Sequence, residues 1–302
     1  MHIHRMAFPW MLVLLVIVVL AGCTPSSSGA GAAPAPTRAD QKIDTLIEVL
    51  QHPERFDWAA RRDAARALGE MGSAAATAVP ALAIAVVDPD ASVRIAAVNA
   101  LGMIGPEAKA AIPTLVKALH DVKEGVADLA ARVLGRLGPD AVPALIEALD
   151  DLDADMRLNA AYALADIGPA AREAVPTLAK RLSDLDKDVR YAAAWALWNI
   201  GPAAKDAVPA LAKALQDVDA DVRYYASWTL WLIGPDSRDA IPALIEALQD
   251  EEWTVRANAA YALGELGPDA SDAISALTEA QRDEDPDVSF AASWALRKVR
   301  GE

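Results

Sequence analysis

Asp184 to Gln216 reads DLDKDVRYAAAWALWNIGPAAKDAVPALAKALQ, and the next 33 residues, Asp217 to Gln249, read DVDADVRYYASWTLWLIGPDSRDAIPALIEALQ. A unit restated this closely is one supersecondary element, folded once and then stacked. Fixed columns carry the period outward in both directions. Glycine recurs at Gly72, Gly105, Gly138, Gly168, Gly201, Gly234 and Gly267, always 33 residues apart except between Gly138 and Gly168, where three residues are missing. Proline recurs at Pro80, Pro113, Pro143, Pro176, Pro209 and Pro242, with Ser275 in the last copy. The short copy is explained by its turn, Gly138-Pro139-Asp140-Ala141-Val142-Pro143, which lacks the extra residues seen elsewhere.

Local chemistry makes two helices of each copy. Proline opens helix A, because its missing N–H would be unpaired there anyway. Leu211, Ala214 and Leu215 then recur at helical spacing. The aspartates Asp184, Asp186 and Asp188 supply N-caps and negative charge at the start of helix B, which runs from about Val189 to Ile200. At about 100° per residue, Val189, Ala192, Ala193, Ala196, Leu197 and Ile200 share one apolar face. Gly201 is expected to be a left-handed C-cap, and Pro202 forbids continuation. Counting this way gives eight pairs, from a first helix A at Asp40 to Gln51 to a last helix B at Asp287 to Arg300. One pair cannot bury its own apolar face, so neighbours build a continuous core.

The pattern Asp-x-Asp-x-Asp-Val-Arg, Ala-Leu, Ile-Gly-Pro, Val-Pro-Ala-Leu resembles the HEAT-like repeat of the phycobilin-lyase type, over Asp40 to Glu302. The resemblance implies an all-α fold, a right-handed α-solenoid of about eight HEAT-like helix pairs, with the B helices lining its concave surface. For function it implies less, since such repeats serve scaffolds, adaptors and a few enzymes.

The N-terminus reads as an address rather than as fold. Residues 1–22 form a signal peptide, with Arg5 before the apolar run Trp10 to Leu20, too short to span a bilayer. Leu20-Ala21-Gly22-Cys23 resembles the bacterial lipobox, which implies that Cys23 is acylated and anchors the chain to the membrane. Thr24 after it, where an aspartate would retain the protein at the inner membrane in enterobacterial lipoproteins, implies the outer membrane, facing the periplasm. Residues 23–39 are the acylated cysteine and a Ser, Gly, Ala and Pro tether, and 40–302 are the solenoid. Cys23 is the only cysteine, which excludes a disulfide. The net charge of −15 argues against nucleic acid and against docking on anionic lipid through basic patches.

Several residue sets invite a function. The arginine column Arg61, Arg94, Arg157, Arg190, Arg223 and Arg256, broken at Ala127 and Ser289, is expected to pair with aspartates of the adjacent turn. The aspartate triplets fail as calcium loops: an EF-hand starting at Asp184 needs Gly and Glu where Val189 and Trp195 stand. No metal or other cofactor is expected. Catalytic signatures are scarce. Only His52 and His120 follow the signal segment, and neither makes the His-Glu pair by which deoxyhypusine hydroxylase, a HEAT-like enzyme, holds iron. Bilin lyases act on cytoplasmic antenna proteins, which an exported chain would not meet. A hydrolase or lyase-type HEAT enzyme is the least supported alternative, and the chain reads as non-catalytic.

The informative set is aromatic. Tyr162, Tyr191, Trp195, Trp198, Tyr224, Trp228, Trp231 and Tyr261 fall on helix B opposite the core face. The Trp195 column carries Arg66, Asn99 and Arg132 in the early copies, so that side can face water. The Trp198 column is glycine or alanine in most copies and tryptophan only at Trp198 and Trp231. Two readings stand: the rings pack on one another along an inner wall, or they line a groove for a protein or extended peptide. A glycan stacking on the rings is the alternative ligand. The oligomeric state and the partner's identity are not legible.

Overall fold

The computed structural model describes residues 37–123 and 125–302, so the signal segment, Cys23 and nearly all of the tether lie outside the described residues. Arg38–Glu302 form one unit. Among the described residues there are sixteen α-helices and no strand. The first four pairs are α1 (Arg38–Gln51) with α2 (Trp58–Glu70), α3 (Val79–Ala85) with α4 (Ala91–Ile104), α5 (Ile112–Ala118) with α6 (Val126–Leu137), and α7 (Val142–Ala148) with α8 (Ala154–Ile167). The last four are α9 (Val175–Arg181) with α10 (Lys187–Ile200), α11 (Val208–Ala214) with α12 (Ala220–Ile233), α13 (Ile241–Ala247) with α14 (Trp253–Leu266), and α15 (Ile274–Ala280) with α16 (Pro286–Arg300). The all-α solenoid of eight pairs is the fold the columns predict. Its first helix starts at Arg38 rather than Asp40.

The Gly-Pro junction differs from the simple turn that the sequence suggests. Gly201 carries φ 68°, but its ψ is −138°, so it is not the left-handed cap expected. That backbone region is open to glycine and closed to residues with a Cβ. The chain then enters a 3₁₀ helix, Gly201–Ala207, before Pro209 opens α11. In the short copy the 3₁₀ helix is Gly138–Ala141, four residues instead of seven. A 3₁₀ helix has about three residues per turn, so losing three removes one whole turn. The following helix α7 therefore enters in the same phase as its counterparts, which is why the array tolerates the deletion.

Val189, Ala192, Ala193, Ala196, Leu197 and Ile200 are all buried, as the 3.6-residue pattern requires. Ala194 is buried too, because α10 is flanked by α8 and α12 as well as by its own helix A. Neighbouring B helices pack along their lengths, while the short A helices touch one another sparsely.

The arginine column does what its spacing suggests. Arg157 donates through Nε to Asp184 Oδ2 (2.9 Å) and through Nη2 to Asp184 Oδ1 (2.8 Å). Its Nη1 donates to the carbonyls of Asp151 and Leu152, at 2.9 and 3.0 Å. Each arginine thus holds its own turn and clasps the next copy's turn, a planar fork matched to a carboxylate. The same bidentate clasp joins Arg61 to Asp88, Arg94 to Asp121, Arg190 to Asp217, Arg223 to Asp250 and Arg256 to Asp283. The aspartates divide the labour. Asp184 takes the clasp, and Asp186 caps α10 by accepting from the backbone N–H of Asp188 (2.8 Å) and Val189 (3.3 Å). Burial would push Asp184 upward, but Arg157 and the Asp186 N–H outweigh it and hold the carboxyl below its ordinary range.

Where Ala127 replaces the arginine, the junction is joined differently. The buried Asn159 amide of α8 donates to the Leu119 carbonyl (2.9 Å), reaching back to the end of α5. His120 pairs with Asp153 at 2.9 Å. The N-cap of α6 is Gly125, with no side-chain cap, in place of an aspartate.

Candidate binding face

The B helices carry all eight aromatic residues singled out by the sequence, on α8, α10, α12 and α14. All eight are half-buried. Tyr162, Tyr191, Trp195, Tyr224, Trp231 and Tyr261 rest on the core, whereas Trp198 and Trp228 rest on each other, their ring centroids 4.7 Å apart. Of the charged members of the same columns, Arg66, Arg132 and Asp128 are exposed and Arg62 is half-buried. The column thus faces water, and the rings draw themselves partly out of it by mutual contact.

The structure gathers the rings into three groups. Tyr162 meets Trp195 edge-on at 5.5 Å. Trp231 stacks on Tyr261 at 4.8 Å and 19°, and Tyr261 continues to Trp294 at 5.7 Å. Between them, Tyr225 meets Tyr191, Trp198 and Tyr224, and Trp228 meets Trp198 and Tyr224, with ring separations from 4.7 to 5.7 Å. Offset and edge-on geometries of this kind are the favourable ones for aromatic pairs. The contacts are those that inner-wall packing requires, and each ring keeps part of its surface in water.

Tyr225 is the member that sequence reasoning missed. Its column is otherwise Asp63, Ala96, Leu129, Asn159, Ala192, Asn258 and Ala291, which places it among small or buried residues beside the stripe. Burial and a hydrogen bond with Tyr191 push its phenol up to about 12. Burial raises Tyr162 and Tyr224 as well. Trp294 was legible from its column but falls in the terminal copy. Its ring occupies the space that Gly264 leaves: a Cβ on Gly264 would lie 2.2 Å from Trp294 Cζ3. The Trp198 indole N–H is buried without a hydrogen-bond partner among the described residues.

Polar groups flank the rings. An open cavity of about 280 Å³ beside Tyr162 and Trp195 is lined also by Asp128, Arg132, Asn159 and Asp166. Burial pushes the Asp166 carboxyl above its ordinary range, with Arg132 and Arg136 drawing it partly back. A larger cavity of about 550 Å³, not foreseen from the sequence, lies between α2 and α4, where Gly69 replaces a ring and Arg62, Arg66, Ile95, Asn99 and Met103 form the walls. Of the two histidines, His52 pairs with exposed Glu54 at 3.0 Å and His120 with Asp153 as above.

Comparison with known proteins places this geometry. A family model described as HEAT repeats matches residues 43–127, 112–198, 142–231 and 208–297. Among solved structures, the chain is similar to an engineered protein from the Northeast Structural Genomics Consortium, at 25% identity and TM-score 0.58, covering 85% of this chain and 78% of that one. It is similar in fold to computationally designed armadillo repeat proteins for modular peptide recognition, at 22% identity and TM-score 0.51, covering 62% of this chain and 99% of that one. No curated protein matches the chain. Repeat solenoids of this class are scaffolds, commonly used to bind proteins or peptides and typically without catalysis.

Proposed function

The chain belongs to the HEAT-repeat family, and from that premise we propose that it is a non-catalytic, membrane-anchored scaffold capturing a protein or extended peptide on the aromatic face of its B helices. The observation that carries this reading is where the departures from the repeat fall. Only α10 and α12 place tryptophan where the other copies carry glycine, alanine or, at the end, Arg297. These rings are half-buried rather than sealed in the core. Packing alone is served as well by phenylalanine, which has no N–H to desolvate, yet Trp198 buries an unpartnered one. Half-buried tyrosine and tryptophan surrounded by polar groups are the residues that dominate binding surfaces. The B layer, on the concave side by family resemblance, gives a ligand contact with several copies at once.

In this proposal Cys23 carries the lipid, and the solenoid is held in the cell envelope, at the outer membrane facing the periplasm. A chain with Cys23→Ser should leave the membrane fraction. The groove is tested by cross-linking the lipidated protein in its own envelope and comparing it with Trp195→Ala/Trp228→Ala. Capture should disappear while the helical circular dichroism is kept, and undiminished capture would overturn the assignment. A glycan ligand is the second reading, favoured by the cavity in which Tyr162 and Trp195 adjoin Asp128, Arg132 and Asp166. Quenching of tryptophan fluorescence by oligosaccharides and not by peptides would decide for it.

A further inference from the structure

A second surface lies on the turns between helices A and B. The turn residue between the two aspartates is Val122 (followed by Lys123), Leu152, Leu185 and Val218 in four consecutive copies. These side chains are 95, 100, 100 and 90% exposed. In the flanking copies the same position is Pro89, Glu251 and Glu284. Single exposed aliphatics are ordinary. Four at one column of adjacent copies make an ordered row, with nothing in the packing to hold them there.

The row has a period and a charge. Stacked helix pairs repeat at about 8–10 Å. An extended chain presents same-face side chains every ~6.7 Å, about 1.3–3.3 Å short of that repeat at each copy. An α-helix lying along the row presents every seventh residue at about 10.5 Å, about 0.5–2.5 Å over the repeat and the nearer match of the two. Around the row, the segments 121–123, 151–155, 184–188 and 217–221 hold ten aspartates against two lysines. The clasping arginines Arg94, Arg157 and Arg190 offset three of them, and Lys180 and Arg181 stand beside Leu152 and Leu185, Arg181 pairing with Asp150 and Asp184. The remaining acid repels anionic lipid and a second acidic ridge alike, and attracts cations.

We propose that this ridge is a docking surface for a cationic amphipathic helix, with aliphatic side chains at heptad spacing and lysine or arginine beside them. The ridge is separate from the aromatic face, so either assignment stands or falls alone.

The test uses the mature chain and a labelled synthetic helix of about three heptads, with leucine once per heptad, lysine beside it and alanine elsewhere. Fluorescence anisotropy should show binding that weakens with salt and is lost when glutamate replaces lysine in the peptide. Leu152→Ser/Leu185→Ser, which removes no buried contact, should weaken it by about tenfold or more. Trp195→Ala/Trp228→Ala should leave it unchanged. Absence of binding at about 100 µM peptide, or equal binding by the serine variant, would overturn the proposal. So would loss of binding in the tryptophan variant, which puts the peptide on the aromatic face. A dimer of the unmodified chain that the serine variant dissolves would make a second copy the occupant instead.

Discussion

Replacing Arg157 with methionine tests the clasp in the middle of the array. The arginine and Asp184 side chains are 12 and 4% exposed, so solvent screens the pair little. The substitution removes two charge-assisted hydrogen bonds to Asp184 at 2.8 and 2.9 Å, each of a kind contributing about 1.5–3 kcal/mol, and the two Nη1 bonds to the Asp151 and Leu152 carbonyls. It also leaves a carboxylate in a nearly dry site, and breaking a buried pair from one side typically costs about 3–5 kcal/mol. Asp184 keeps two partners, the Asp186 N–H at 3.1 Å and Arg181 at 3.3 Å, which spares part of that penalty. Methionine preserves most of the arginine stem's packing. A loss of about 2–3 kcal/mol follows, or roughly 4–6 °C in Tm for a unit of this size. The pH dependence has a definite sign. Asp184 is depressed in the folded chain, so its contribution is present above the ordinary carboxylate value near ~3.9 and lost as pH falls through the lower folded value. The gap between the parent and Arg157→Met should therefore narrow below about pH 4. Urea unfolding followed by circular dichroism, run for both single variants and for Arg157→Met/Asp184→Asn, measures the coupling. A destabilisation under about 0.5 kcal/mol, or singles that add without coupling, would refute the account of the clasp.

Gly264→Ala should destabilise by about 1–3 kcal/mol although alanine is the better helix former, because its Cβ meets the Trp294 ring at 2.2 Å. Trp294→Ala in the same chain should recover part of that loss in thermal unfolding. Asp186→Ala removes the side-chain cap of α10 and should cost about 1 kcal/mol in urea unfolding. In an ultraviolet titration of the folded chain, one tyrosine should ionise near pH 12, and Tyr225→Phe should abolish that late step.

The repeat made most of the fold legible. A column of glycines 33 apart but for one interval of 30, a proline opening six of the eight helices A and an arginine that must find a carboxylate are local statements, and each holds in the structure. What escaped was the part that no single copy states. The 3₁₀ helix after Gly201 is invisible to a search for 3.6-residue periodicity, because its short run of Ala, Lys and Asp has no apolar stripe. The Asn159 and His120 contacts that replace the missing arginine at Ala127 come from other columns, so comparison within the arginine column could not find them. On the candidate face, columns located the eight rings but not their grouping. Tyr225 meets Tyr191 and Trp198 of the preceding helix, and Trp228 meets Trp198, only after the B helices are packed.

The clasp spacing also sets how the array can change length. Arg190 and Asp217 are 27 residues apart, and so are Arg223 and Asp250. Excising Asp217 to Gln249 brings Asp250 to the place Asp217 held, again 27 residues after Arg190, with Glu251 and Glu252 where Val218 and Asp219 stood. Duplicating the segment is equally silent to the copies on either side. Whole copies can therefore be cut or pasted like frames of a film, and the two tryptophan-bearing frames can be repeated to lengthen the aromatic face without rewriting any other residue.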